Sequence, residues 1–116
     1  MEQLFHIFVQ VIQINYIGIT GGVGMTPGAS IGNNFALFSQ GMPHSGMSLA
    51  GKNQANPTSM LLSSVMMLRY LGLPMFADSI ANAVHTTLDD ESVRTPDIGG
   101  NSSTTEFTKA IIHNLK

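Results

Sequence analysis

Cysteine and tryptophan are absent from this chain of 116 residues, and charged residues are scarce. Five lysines and arginines and seven acidic residues make up 10% of the sequence, against roughly 25% in an ordinary soluble domain. The absence of cysteine excludes a disulfide scaffold, a zinc ribbon, an iron–sulfur cluster and thiol catalysis. The formal net charge is −2 and no basic cluster occurs, so we expect no nucleic-acid partner.

The few charges are also unevenly placed along the chain. No Asp, Glu, Lys or Arg occurs between Glu2 and Lys52. A surface that faces water normally carries such residues, so we expect much of this half to be covered by other protein. Apolar residues make up 43% of the sequence, which is enough for the core of one small domain.

The first 19 residues are mostly apolar but do not resemble a membrane-spanning segment or a targeting signal. They hold twelve apolar side chains, interrupted by Gln3, His6, Gln10, Gln13 and Asn15. A spanning helix needs about 20 nearly uninterrupted apolar residues, so no membrane span is expected. A secretory signal needs a basic start and a mitochondrial presequence needs arginines, and neither feature is visible in these residues. Residues 5–17 fit a buried strand as well as a helix, and we expect a packed segment of either type.

The next stretch of the sequence is rich in glycine. Six glycines fall within residues 18–32, which predicts turns or close backbone approach rather than a long regular element. The short apolar run 35–38 predicts one brief buried strand. Residues 39–55 are polar and contain glycine, and they predict a loop.

Three helices are predicted in the second half. Asn56-Pro57 predicts the start of the first, with Asn56 as its cap, and Gly72 its end. That helix is apolar on most faces, so it should lie deep in a core or at an interface. Leu73-Pro74 predicts the start of the second, which ends in the acidic run 89–91. The third opens with a capping box formed by Ser103 and Glu106.

The residues alone predict no self-contained active site. The glycine cluster lacks the terminal Gly-Lys-Ser/Thr of a phosphate loop and the GxGxxG of a dinucleotide fingerprint, so a tight turn is the better interpretation. The acidic run 89–91 is interpreted as a solvated helix end. Of the four histidines, only His44 lies in a polar loop, and it is a candidate binding residue. No metal site and no catalytic residue are predicted.

Four stretches, taken together, resemble a known family. They occur in family order, and the combination of AGKNxANP with a helix ending in MMLRxLGL is highly specific. The stretches are GITGGVGMTPGASIG (18–32), FALFSQGMPHSGMSLAGKNQANPT (35–58), LLSSVMMLRYLGL (61–73) and RTPDIGGNSSTTEFTKAII (94–112). Residues 18–116 are thus similar to the C-terminal third of mitochondrial NAD-dependent isocitrate dehydrogenase subunits, in the isocitrate/isopropylmalate dehydrogenase family, whereas residues 1–17 form a non-family N-terminal segment.

The resemblance implies a fold and an absence of catalysis. The expected fold class is α/β and mostly helical, the C-terminal portion of the family fold, with three helices plus one or two short strands. In the family, the N-terminal two-thirds supplies the substrate arginines and the catalytic tyrosine and lysine. The family aspartates that bind Mg²⁺ align with Gln10 and Ile14, which cannot hold a hard divalent cation. We therefore expect a catalytically inert chain with no metal site.

The resemblance also implies a vestigial adenosine pocket. In the family, the loop 39–55 binds the adenosine half of NAD; here it is one residue longer, as in regulatory subunits. His44 and Asn56 correspond to residues near adenine, and Ser48 replaces the aspartate that binds the ribose hydroxyls. Asp97 lies near the same pocket in the family, although a turn-forming aspartate before Ile98 is the alternative. The family uses NAD and Mg or Mn, but no cofactor is expected in this chain.

Three functional hypotheses remain open. The chain could be a catalytically inert relative of this oxidoreductase family that serves as a structural component of a mitochondrial multi-subunit complex. It could be a regulatory subunit, or a fragment of one, of NAD-dependent isocitrate dehydrogenase, supporting the decarboxylation of isocitrate to 2-oxoglutarate in the tricarboxylic acid cycle. It could also be an incomplete product of a longer gene. Each implies other protein subunits as partners and a mitochondrial location, by resemblance.

Overall fold

The computed structural model describes residues 23–41 and 46–115, which form a two-stranded ribbon and three helices. The strands β1 (Pro27–Ile31) and β2 (Ala36–Gln40) pair antiparallel, with Pro27 opposite Gln40. The helices are α1 (Thr58–Tyr70), α2 (Pro74–Asp89) and α3 (Thr104–Asn114). This architecture confirms the expected fold class.

The helix boundaries follow the predicted signals closely. The Asn56 Oδ1 accepts a hydrogen bond from the Thr58 N–H at 3.0 Å, and Pro57 already has helical dihedral angles, so α1 begins one residue after the predicted first position. Gly72 follows α1 with φ of 76°, the left-handed conformation that favours glycine at a helix end. At α3 the capping box is present in full. Short-range hydrogen bonds therefore determine where each helix starts and stops.

The ribbon agrees with one prediction and corrects another. The described part of the glycine-rich stretch contains a 3-10 turn and the short strand β1, and the predicted close backbone approach is real, because a Cβ on Gly28 would lie 3.0 Å from the Gly41 Cα. The predicted buried strand 35–38 is wrong in both extent and burial. The strand runs to Gln40, and Phe35 and Leu37 are 76% and 60% exposed. Among the described residues, a ribbon of two strands has only α1 packed against it, so apolar side chains remain uncovered.

Serine hydroxyls of α1 form hydrogen bonds with the backbone of the ribbon and the residue before it. The Ser63 Oγ donates to the Ser39 carbonyl of β2 at 2.6 Å and accepts from the Gly28 N–H of β1 at 3.3 Å. The Ser59 Oγ donates to the carbonyl of Thr26 at 2.5 Å. Val65 of α1 is buried, but other apolar side chains of the helix are exposed, so α1 as a whole does not lie deep in the core as one alternative predicted; the exposed ones are Met60, Met66 and Met67. The interface alternative stays a prediction.

The apolar core is small and lies between the helices. One cluster joins α2 to α3 and the other joins α1 to α2. Their buried members are Ala83, Val84, Phe107 and Ile111 in the first cluster, and Val65, Ala77 and Ala81 in the second. No helix in the described part of the chain is both long and apolar enough to cross a membrane.

Candidate adenosine-pocket site

Three segments that are distant in sequence converge at Asn56. They are the 3-10 turn Val23–Met25, the residues that precede α1, and the 3-10 turn Pro96–Ile98. The Asn56 Nδ2 donates to the Asp97 Oδ2 at 3.0 Å and lies 3.7 Å from the Met25 Sδ. The structure thus brings together two of the four predicted site residues, Asn56 and Asp97.

The orientation of Asn56 is fixed from both ends of its carboxamide. Its Oδ1 accepts from the Thr58 N–H at the start of α1, while its Nδ2 faces Asp97 and Met25. The same side chain therefore starts a helix and holds the turn 96–98 against it. This double use explains structurally why an asparagine precedes Pro57, because its carboxamide carries a donor and an acceptor on separate atoms of one short side chain.

Asp97 is held by its own turn as well. Its Oδ1 accepts from the hydroxyl of the fully buried Thr95 at 2.5 Å, and the turn closes through Gly99, which has φ of 85°. The carboxylate thus serves the turn with one oxygen and Asn56 with the other. The interpretation of Asp97 as a turn-forming residue therefore accounts for its contact with Thr95 but not for its contact with Asn56.

Gly24 was missed as a site residue by the sequence interpretation. A Cβ at this position would lie 2.8 Å from the Asp97 Oδ2 and 3.1 Å from the Asn56 Cβ. Only glycine leaves room for the Asn56–Asp97 pair here. The density of glycines signalled close approach, but nothing in the sequence identified which segments approach each other.

Of the other two predicted residues, only Ser48 lies in the described part of the chain. Ser48 lies exposed in the 3-10 turn Met47–Leu49, and within residues 23–41 and 46–115 no hydrogen bond joins it to Asn56 or Asp97. His44 lies outside the described residues, as do Gln10 and Ile14. The proposed ligand roles of all four site residues stay predictions.

The loop that carries Ser48 is fastened to the start of α3 by residues that sequence analysis did not single out. The Thr104 N–H donates to the Asn53 carbonyl at 2.9 Å, and the Thr104 hydroxyl donates to the Ala55 carbonyl at 2.6 Å. The Thr105 hydroxyl donates to the Asn53 Oδ1 at 3.0 Å. Asn53 has φ of 54°, a conformation that asparagine tolerates better than most residues. These contacts position the end of the loop next to Asn56.

The polar side chains of this site are paired with each other. A fixed carboxamide lies beside a carboxylate, and both amide hydrogens of Asn56 already have partners within the chain. A base that took the Asn56 hydrogen now donated to Asp97 would have to displace that carboxylate. In the described part of the chain, no three His, Asp or Glu side chains come close enough to hold a metal ion.

The acidic run 89–91 is solvated, as predicted. All three side chains are exposed, and Glu91 pairs with Arg94 at 3.2 Å. Asp90 caps the following 3-10 turn, and hydrogen bonds from the Ser92 hydroxyl and then from the Ser92 N–H hold the pKa of Asp90 below its ordinary value. These contacts are local and do not point to a ligand.

Comparisons with known proteins place this geometry in a family. The sequence profile of isocitrate/isopropylmalate dehydrogenase matches residues 15–111. Mitochondrial isocitrate dehydrogenase [NAD] subunit 1 of Kluyveromyces lactis is 46% identical over 97 residues, which cover 84% of this chain and 27% of that protein. A mitochondrial isocitrate dehydrogenase [NAD] regulatory subunit of Dictyostelium discoideum is 44% identical over 98 residues, covering 84% of this chain and 28% of that protein. Subunits called catalytic also match.

Solved structures agree with the sequence comparison. A beta-decarboxylating dehydrogenase from Thermococcus kodakarensis superposes with a TM-score of 0.86 at 31% identity, covering 95% of this chain and 32% of that one. The chain therefore spans about a quarter of the length of the curated relatives it matches. The profile match, the sequence relatives and the shared fold agree, and this chain belongs to the isocitrate/isopropylmalate dehydrogenase family.

Proposed function

We propose that this chain is a non-catalytic, structural subunit of a mitochondrial multi-subunit assembly, which keeps part of the family fold and has lost the chemistry. The observation that carries the proposal is the apolar surface left uncovered on the ribbon and at the turn between α1 and α2. Phe35 and Leu37 are largely exposed on the ribbon, and Met75 and Phe76 are largely exposed after the turn. Surfaces of this kind mark protein interfaces in soluble proteins.

The site geometry supports the loss of chemistry. The Asn56–Asp97 hydrogen bond engages one of the two amide hydrogens of a side chain that, by resemblance, lies near adenine. Ser48 offers one exposed hydroxyl where, by resemblance, a carboxylate binds the ribose. The mitochondrial location rests on the relatives, whose names place them in that organelle.

Purification from the native source tests this proposal. The full chain, carrying an affinity tag, should be recovered from mitochondria together with other subunits in stoichiometric amounts, identified by mass spectrometry. Recovery of the chain alone, or from another compartment, would contradict the proposal. A tagged, unrelated mitochondrial protein of similar abundance serves as the control for adventitious capture.

A regulatory subunit of NAD-dependent isocitrate dehydrogenase is the second candidate. It is favoured by the 44% identity to a protein named as a regulatory subunit. The two candidates differ in their partners. Co-purification with catalytic isocitrate dehydrogenase subunits, together with a change in their activity when this chain is removed, would favour the regulatory function. Co-purification with unrelated subunits would favour the structural one.

A further inference from the structure

The turn between α1 and α2 presents a dense apolar surface, here called the knob. It is defined by five large apolar residues within seven positions, all of them exposed: Tyr70, Leu71, Leu73, Met75 and Phe76. The turn is not a frayed end. The Leu73 N–H donates to the Leu68 carbonyl at 2.9 Å, and the Ala77 N–H donates to the Leu73 carbonyl at 3.2 Å. The backbone therefore holds these side chains outward.

The size of the knob is that of an interface core. Met75 is 84% exposed and Phe76 65%, and the five residues together expose about as much surface as three whole side chains. At roughly 150–250 Å² for a large side chain, this amounts to about 450–750 Å². The largest apolar patch of a typical monomer is about 300–600 Å², and a standard interface buries about 800 Å² on each partner. Polar residues around the knob would add enough buried area to reach the area of a standard interface.

The charges around the knob are self-complementary. Arg69 and Asp78 are the only Asp, Glu, Lys or Arg residues in positions 53–88, and they pair at 2.9 Å with both side chains more than half exposed. A two-fold axis next to this pair would set Arg69 of each copy beside Asp78 of the other, with no like charges in contact. The two charges cancel, so the knob offers no net charge that would attract a partner with a strongly charged surface.

We infer that the knob is a two-fold contact between two copies of this chain. This inference rests on the proposed function, since it names one contact of the proposed subunit. Tyr70 also contacts Phe38 of β2, with 5.7 Å between the ring centroids, so the knob is packed against the ribbon. Binding at the knob would therefore also hold the ribbon in place.

Because the chain has no cysteine, a single introduced thiol can report on the contact. The full chain with Met75→Cys should give covalent dimer when treated with a short-arm bismaleimide. The matched control is Met47→Cys, which is 80% exposed but lies in the 3-10 turn Met47–Leu49, away from the knob. We expect at least about tenfold more covalent dimer from Met75→Cys, because paired copies hold the two thiols at high effective concentration. Equal yields from both variants would overturn the inference.

A charge exchange tests the orientation of the two copies. Arg69→Asp alone and Asp78→Arg alone each place like charges across the axis, and each should weaken self-association at least about fivefold in sedimentation equilibrium. Mixing the two variants restores opposite charges at both contacts and should restore association. Failure of the mixture to recover, with helix content unchanged by circular dichroism, would contradict the two-fold contact.

The outcomes separate this inference from the proposed function. If the chain stays monomeric alone but joins other subunits, the inference is wrong and the proposed function stands. If residues 1–22 of the same chain cover the knob, Met75→Cys gives no intermolecular product and the inference is again wrong. If the chain associates neither with itself nor with other subunits, both fail.

Discussion

At the scale of single residues, Asn56 links the sequence to the site. The family resemblance singled out Asn56 and Asp97, and the structure joins them by one hydrogen bond of 3.0 Å. Helix-start chemistry independently predicted Asn56 as a cap, and its Oδ1 accepts from the Thr58 N–H. The position of Gly24 beside both residues could not be predicted, because the sequence does not tell which of six neighbouring glycines approaches a segment more than 30 residues away.

Gly24→Ala is expected to break the Asn56–Asp97 pair. The new Cβ would lie 2.8 Å from the Asp97 Oδ2, so the carboxylate or the turn Val23–Met25 must move. Overpacking of this kind typically costs about 1–3 kcal/mol of unfolding free energy. Urea unfolding of the full chain measures the loss. Gly32→Ala is the control, since its Cβ meets only the Phe35 carbonyl at an ordinary 3.4 Å, and an equal loss in both variants would argue against a specific role for Gly24.

At the scale of elements, boundaries were predictable and burial was not. Gly72 and the Ser103–Glu106 box act through hydrogen bonds and dihedral angles within a few residues, so the sequence pattern contains them. The ribbon depends on long-range contacts instead. Its link to α1 runs through Ser63, a residue without an apolar side chain, and a search for apolar periodicity does not detect such a contact.

Ser63→Ala is expected to loosen α1 from the ribbon. The Ser63 side chain is fully buried and bonds to both strands, so its loss leaves the Ser39 carbonyl and the Gly28 N–H without this partner. Leaving a buried polar group unpaired costs about 1–3 kcal/mol. Ser64→Ala, which loses only a bond to the Leu61 carbonyl in the same helix, should cost less than about 0.5 kcal/mol. Hydrogen exchange at the Gly28 amide would show whether the loss is local to the ribbon.

The start of α3 should respond to acid. Hydrogen bonds from the Ser103 N–H and then from the Ser103 hydroxyl hold the pKa of Glu106 below its ordinary value. Because the pKa is lower in the folded state, the contribution of this group to stability is present at neutral pH. It is lost as the pH falls through the lowered folded-state pKa.

Thermal unfolding of the full chain from about pH 6 to about pH 3 measures this loss. Glu106→Gln should have a lower midpoint than the parent at pH 6, and the difference should shrink as the pH falls. A constant difference over the whole range would show that Glu106 acts through packing rather than through its charge. Asp78→Asn, at an exposed surface pair, provides the reference for a carboxylate outside a cap.

At the scale of the whole molecule, the ribbon and the knob both lack a cover among the described residues. The absence of charge between Glu2 and Lys52 predicted that this half is covered by other protein, and β1 and β2 fall within it. Apart from Glu2, the charges that do occur lie after residue 51. A low charge density therefore indicated that a surface needs a partner, but the identity of the partner depends on shapes that sequence patterns do not contain.

The full 116-residue chain is expected to form no NADH from isocitrate and NAD in the presence of Mg²⁺ or Mn²⁺. By resemblance, Gln10 and Ile14 stand where carboxylates chelate the metal, and an amide with an alkyl group is a poor site for a hard cation. One hydrogen of the Asn56 amide is donated to Asp97, so a nucleotide that used this hydrogen would first have to break that bond. Absorbance at the NADH band, followed in the same mixture before and after addition of an active isocitrate dehydrogenase, gives the measurement and its positive control. Turnover by the purified chain above the blank, abolished by Asn56→Ala, would show that the site is catalytic and that the proposed loss of chemistry is wrong.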